Sequence, residues 1–280
     1  MKTALFELIE RELKKWYRVP ALLIVSLSQP IIWIILFGNA FNPTKLFGNI
    51  PAAEVSSIMA SEFMGASNYI SFLTPGILSL TVLFASFMGG MSLLWDRRFG
   101  FLTKLLVSPI RRESVFISKI IANSIKGLIQ ATIILVVALL LPDGLKLSSG
   151  FGIVNLLLVY LFLFLLSFIF GAIFVTLTVR ITKWETAMSI MNLLNLPIFF
   201  VSTALFPATS MPGWMKYVAI RNPLSYASNS IRILMLKGAL TSSISNQILQ
   251  NLMYMGIYAI IFLAIGIIVA YYTLTDTSYA

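Results

Sequence analysis

"WDRRFGFLTKLLVSPIRRESV", Trp95 to Val115, is an island of charge between two long apolar runs, Ser71 to Trp95 and Val115 to Leu141. Each flanking run matches what an α-helix needs to cross the ~30 Å hydrocarbon core of a bilayer, roughly 20 apolar residues. Four more stretches of this kind lie at Ala21 to Phe41, Phe151 to Val179, Ala187 to Phe206 and Leu252 to Leu274. The expected fold is therefore all-α: a polytopic membrane protein with six transmembrane helices. Strands of a membrane barrel would be about half as long and would alternate polar with apolar residues.

Composition agrees. Of 280 residues, 59% are hydrophobic and 11% charged, a balance that could not wet the surface of a soluble domain. The net charge of +10 comes from 20 Lys+Arg against 10 Asp+Glu. These basic residues flank apolar runs and form no stripe, which points to anionic lipid and topology and away from nucleic acid. With no Cys and no His, the chain has no disulfide framework, no thiolate or imidazole metal site and no Ser-His or Cys-His catalysis. A lipid-modifying membrane enzyme is disfavoured on the same ground.

Basic residues also orient the spans. They gather in the N-terminal tail (Lys2, Arg11, Lys14, Lys15, Arg18), the second connection (Arg97, Arg98, Lys104, Arg111, Arg112) and the fourth (Arg180, Lys183), whereas the first and third have only Lys45 and Lys146. The bias places the N-terminus and both basic connections in the cytoplasm, and an even number of spans returns the C-terminus there. The segment 207–251 falls outside although it carries Lys216, Arg221, Arg232 and Lys237, because long connections are weakly constrained by charge. Within it Arg232 and Lys237 make a poor span, so two short helices are expected at or dipping into the outer interface, one from Gly213 and one opened by Pro223. At the other end, "TALFELIERELKKWYRV" carries acids, leads into a full span and is expected not to be a signal peptide. Leu5, Ile9, Leu13 and Trp16 recur at helical spacing, with Glu7–Arg11 and Glu10–Lys14 as i,i+4 pairs, which predicts an amphipathic interfacial helix over residues 1–20. No repeat divides the chain, so 1–280 is expected to be a single membrane domain.

The spans are nearly free of charge. A secondary transporter or channel working without an ATPase usually keeps ionisable groups deep in its helices, so this alternative is disfavoured. No phosphate-cradling glycine loop with its lysine occurs, and any ATP-driven motor belongs to another chain. Lys119 and Lys126 enter a span seven residues apart, either snorkelling to headgroups or meeting substrate. Asn192 and Asn195, ahead of Pro197, either bond a neighbouring helix or line a substrate path. Gly89 and Gly90 suit close helix packing. Inside the opening stretch, Phe99, Leu102 and Leu106 would share one helical flank and Arg97 and Lys104 another, giving a short interfacial helix stopped by Pro109.

Asp96-Arg97-Arg98-Phe99-Gly100-Phe101-Leu102-Thr103-Lys104-Leu105-Leu106-Val107-Ser108-Pro109-Ile110, followed by Arg112 and Lys119, resembles the cytoplasmic loop of ABC-2 type permeases, the membrane subunits of ABC exporters. That loop runs acid-Arg-x-x-Gly-(Ser/Thr)-Leu-Glu-x-Leu-(Leu/Met)-x-(Ser/Thr)-Pro, then basic residues and a Gly-Lys pair. "FFVSTALFPATSMPGWMKYVAIRNPLSYASNSIR", Phe199 to Arg232, is similar to a second family segment. Phe101, Lys104 and Ser118 depart from the pattern. The resemblance implies a permease subunit that moves a hydrophobic or amphipathic substrate outward across the plasma membrane. Its partners would be two cytoplasmic ABC ATPase subunits, which hold the ATP and Mg, and a second permease, either another copy in a homodimer or a similar permease in a heterodimer. It further implies a coupling loop over 96–114 with Arg97, Arg98, Phe99, Gly100, Leu102, Lys104, Leu105, Leu106 and Pro109, and ATPase docking through Glu10, Arg11 and Lys14. Pro207, Pro212, Trp214, Asn222, Pro223 and Arg232 would shape the outer segment. No catalytic residue, metal or cofactor is expected in this chain.

Overall fold

A computed structural model describes residues 2–40, 63–66, 68–108, 110–142, 144–238 and 241–275. The helices among them are α1 Lys2–Tyr17, α2 Pro20–Ala40, α3 Tyr69–Arg98, α4 Phe101–Leu106, α5 Arg112–Leu140, α6 Ile153–Arg180, α7 Trp184–Phe200, α8 Gly213–Ala219, α9 Pro223–Leu236 and α10 Ser242–Thr275, with a single 3-10 turn at Ala208–Ser210. No strand occurs among the described residues. Four helices, α3, α5, α6 and α10, are long and apolar enough to cross a membrane. The first run forms α2, whose apolar stretch is the shorter Leu23–Gly38; Phe41, at its expected end, lies outside the described residues. The fifth run yields the 17-residue α7, which begins earlier than expected and stops at Phe200. Pro197 lacks an N–H to continue the ladder, and Val201 closes the helix by donating to the Pro197 carbonyl.

The long α3 is the axis of the bundle. It packs against α2, α5, α6, α7 and α9 and is buried along most of its length. Backbones come close because its contact points are small: a Cβ at Gly76 would strike the Ala204 carbonyl, and one at Gly90 would lie 2.9 Å from the Phe174 carbonyl oxygen. Ser86 Oγ donates to the Ser167 carbonyl of α6 at 3.2 Å. Close packing at small residues is how helices associate when lipid removes the hydrophobic drive between them. The outside of the bundle is apolar instead, with Ile24 and Val25 of α2, Leu157 of α6 and Ile260 of α10 well exposed, as a face turned to hydrocarbon requires.

The segment after α7 differs most from expectation. α8 is exposed at Trp214 and Tyr217, consistent with an interfacial helix, but α9 runs inside the bundle against α3, α6 and α10. α10 begins at Ser242, so the irregular outer segment ends before residue 251. At 14 residues, α9 is about 21 Å long and too short to span. Its start is fixed by Asn222, whose side chain accepts from the Leu224 N–H and donates to the carbonyls of Ile198 and Val201, with Pro223 at the first helical position.

Arg232, expected at the interface, is instead 1% exposed. Its Nε donates to the Phe72 carbonyl (3.0 Å), Nη1 to Asn229 Oδ1 (2.8 Å) and Nη2 to the carbonyls of Thr203 (3.1 Å) and Ala204 (3.2 Å). The guanidinium also lies over the Phe72 ring. A planar fork with five donors can satisfy several carbonyls that no helix ladder reaches, and here it welds α9 to the start of α3 and to the α7–α8 turn. Arg232→Met removes this donor from the buried Thr203 and Ala204 carbonyls and is expected to cost about 3 kcal/mol. Arg232→Lys, lacking the fork, is expected to recover less than half of that, both read as shifts in unfolding temperature in detergent.

Candidate functional site

Asp96, Arg97 and Arg98 occupy the last turn of α3. The chain then reverses at Gly100, whose φ of 68° lies in the left-handed region that costs an L side chain about 1 kcal/mol or more. That reversal starts the six-residue α4. Leu102 and Leu105 point inward and pack with Leu8 of α1, Val115 and Phe116 of α5 and Val175 of α6. The opposite face is open: Arg98, Phe99, Thr103, Lys104 and Val107 are exposed, Phe99 and Val107 most of all. α4 is thus a small platform held from beneath by two leucines.

Gly100 also separates residues expected on one helix. Phe99 ends α3 in solvent and does not join Leu102 on a buried flank. Arg97 does not share a face with Lys104; its Nη1 and Nη2 donate to the carbonyls of Ile181 (2.8 Å) and Val179 (2.9 Å), capping α6. Pro109 and the side chain of Leu106 lie outside the described residues. Ser108 Oγ donates to the Leu105 carbonyl and closes α4.

Beneath the platform lies a charged cluster that joins α1, α3 and α5. Glu12 Oε1 meets Lys119 (2.7 Å) and Arg11 (3.0 Å), and Oε2 accepts from Ser92 Oγ (2.7 Å). Asp96 takes a two-pronged Arg11 at 2.9 and 3.2 Å, Lys15 at 3.0 Å, and Lys119. Glu12, Asp96 and Lys119 are each at most 4% exposed. Arg11 further stacks its guanidinium on the Phe101 ring, 3.3 Å from its centroid. The aromatic side chain that departs from the family loop pattern therefore anchors the N-terminal helix to α4.

Lys119, read as a snorkelling side chain or a substrate contact, is a buried bridge between two carboxylates. The expected Glu7–Arg11 pair does not form, because Arg11 is engaged by Asp96 and Glu12, while Glu10–Lys14 forms at the surface at 2.5 Å. Burial pushes the Glu12 carboxyl up, but the charges of Lys119, Lys126 and Lys15 and the Lys119 hydrogen bond outweigh it and hold the group at about 2. Sequence reasoning assigns no role to Glu12 or Ser92 and gives Lys119 no carboxylate partner, although part of the signal is present: Lys119, Asn123, Lys126 and Gln130 recur every three or four residues, a polar stripe along α5. Gln130 completes it by donating to Ser26 of α2 at 2.8 Å.

Other expected site residues lie elsewhere. Asn192 is exposed on α7, and Asn195 is buried with its Oδ1 unpartnered, so that oxygen makes no helix-to-helix bond. Pro207, Pro212 and Trp214 line the exposed turn into α8, Asn222 and Pro223 build the start of α9, and Arg232 is the weld described above. No cluster of metal-ligating side chains occurs among the described residues.

The family model described as ABC-2 type transporter matches residues 3–236. The chain is 32% identical over 231 residues to the ycf38 transport permease of Cyanophora paradoxa, covering 82% of this chain and 73% of that protein. It is 33% identical over 226 residues to the ycf38 permease of Porphyra purpurea, covering 80% and 71%. Against the daunorubicin resistance ABC transporter permease DrrB1 of Streptomyces coeruleorubidus, identity is 25% over 227 residues, covering 80% and 72%.

Removing Lys119 leaves two buried carboxylates short of a cation, so Lys119→Met is expected to lower stability by about 3–5 kcal/mol. Lys14→Met, which breaks only the half-exposed pair with Glu10, should cost less than about 1 kcal/mol. Comparing unfolding temperatures of the two variants checks this contrast. Because the Glu12 carboxyl is depressed, its contribution is full above its ordinary value of 4.5 and is lost as pH falls toward about 2. Acid titration of the unfolding temperature should therefore show a decline over that window which Glu12→Gln flattens.

Proposed function

The chain belongs to the ABC-2 type transporter family, and on that premise we propose that it is the membrane half of an exporter driven by ATP hydrolysed in a separate subunit. The orientation that fits has α1, α4 and both termini in the cytoplasm, with the plasma membrane crossed six times once α2 and α7 are counted as spans. Two ATPase subunits, holding ATP and Mg, and two permease copies complete the assembly. An apolar or amphipathic cargo suits spans with few charges, and the Streptomyces relative's name ties that protein to drug resistance.

The observation that carries this reading is the α4 platform. Lys104 and Val107, with Phe99 just ahead of the helix, are exposed on its outward side, whereas its inward contacts tie it to α1, α5 and α6. A push on such a helix cannot be absorbed by sliding, because Leu102 and Leu105 are packed and Arg11 links Phe101 to Asp96. It would be passed on as a rigid-body shift of the spans. Glu10 and Lys14, half-exposed on α1, would extend the docking surface; Arg11 serves it from behind.

Substitution of the outward residues tests the proposal without disturbing the packed ones. With the ATPase subunit co-expressed, Val107→Asp combined with Lys104→Glu is expected to reduce recovery of the complex at least about tenfold, the loss of about 1.4 kcal/mol, with the unfolding temperature of the permease unchanged. Undiminished recovery would remove α4 as the docking surface.

A further inference from the structure

Around the cluster, four cations, Arg11, Lys15, Lys119 and Lys126, meet two carboxylates, Glu12 and Asp96, and of the four only Lys119 and Lys126 are largely withdrawn from solvent. The surplus is concentrated at Lys126. Its side chain is 13% exposed and its ammonium lies 3.7 Å from Glu12 Oε2, beyond a hydrogen bond, and no other acceptor bonds it among the described residues. A desolvated cation in this state calls for a counter-ion.

What lies beyond Lys126 suggests the source of that ion. Ile129, Val136 and Leu140 follow it on α5 at helical spacing and are exposed, Leu140 most of all. Tyr17 and Val19, at the α1–α2 corner, are exposed apolar groups at the same end. A positive end continued by an apolar track along a membrane-spanning helix has the polarity of a phospholipid with an anionic headgroup.

We propose that the α1–α5 corner binds an anionic phospholipid of the leaflet on the α1 side, its phosphate against Lys126 and Lys15 and an acyl chain along Ile129 toward Val136, about 15 Å away. The lipid neutralises the cluster and thereby helps hold α1 against α3 and α5. This extends the proposed function and rests on its membrane reading, not on the ATPase partnership.

Native mass spectrometry of the full chain released from micelles, with phosphatidylglycerol and phosphatidylcholine of matched acyl chains, tests the assignment. Wild type is expected to retain phosphatidylglycerol in preference and to gain unfolding temperature from it. Lys126→Gln should weaken retention about fivefold, the effect of one basic side chain at an anionic surface; Lys126→Arg should restore it and Lys183→Gln, on the exposed α6–α7 turn, should leave it unchanged. Equal retention of the two lipids by wild type would overturn the proposal whatever the variants do. So would an equal gain in unfolding temperature from inorganic phosphate, which would mark a site for soluble anions, or full retention by Lys126→Gln. Loss of the lipid preference with ATPase complex formation intact would leave the proposed function standing.

Discussion

Two carboxylates, Glu12 and Asp96, are withdrawn from water at one end of the bundle, and their need for cations fixes how four helices meet. A buried carboxylate left alone would cost several kcal/mol, so Arg11, Lys15 and Lys119 must stay within bonding distance of the pair. Since Glu12 belongs to α1, Asp96 to α3 and Lys119 to α5, this electrostatic requirement is also a geometric one. Arg11 extends it to α4 through the ring of Phe101. Arg97, one residue after Asp96, brings in the end of α6 through two backbone carbonyls. The result is a stiff base under a short exposed helix.

The opposite region of the chain uses the same device with different partners. There the cation is Arg232, and carbonyl oxygens from α3 and the α7–α8 turn replace the carboxylates. Carbonyl dipoles are weaker partners than charges, but their fixed positions suit the guanidinium fork. A short helix such as α9 can lie inside a bundle only if its polar groups are met in this way, because it is too short to hand them to water at both faces of the membrane. Both clusters keep irregular backbone or charge within an otherwise apolar protein, and each does so by joining segments distant in sequence.

Much of the helical frame was legible in the sequence. The runs Ser71 to Trp95, Val115 to Leu141 and Phe151 to Val179 fall within a few residues of α3, α5 and α6, because hydrophobic length is a local property. Pro223 as a helix start is local as well. Residues whose roles depend on distant partners were not legible. Arg97 and Lys104 have the spacing of one helical face, yet the left-handed Gly100 puts them on different helices. Arg232 looks like a charge that must stay near water until the carbonyls of Phe72, Thr203 and Ala204 surround it. Lys119 has the position of a snorkelling lysine, and only the return of α1 across the bundle end places Glu12 beside it. Phe101, a departure from the family pattern, gains its meaning from Arg11.

If the charged cluster makes α1, α3, α4 and α5 one body, any motion delivered by an ATPase to the proposed α4 docking surface must be felt in α1. Hydrogen exchange on the permease assembled with its ATPase subunit, with and without ATP, measures this most directly. Amides of α1 around Glu12 and of α4 around Leu105 should change their protection together when ATP is added, and Lys119→Met should uncouple them. A nucleotide-dependent change confined to α4, with α1 exchanging as before in the unmodified protein, would contradict the account.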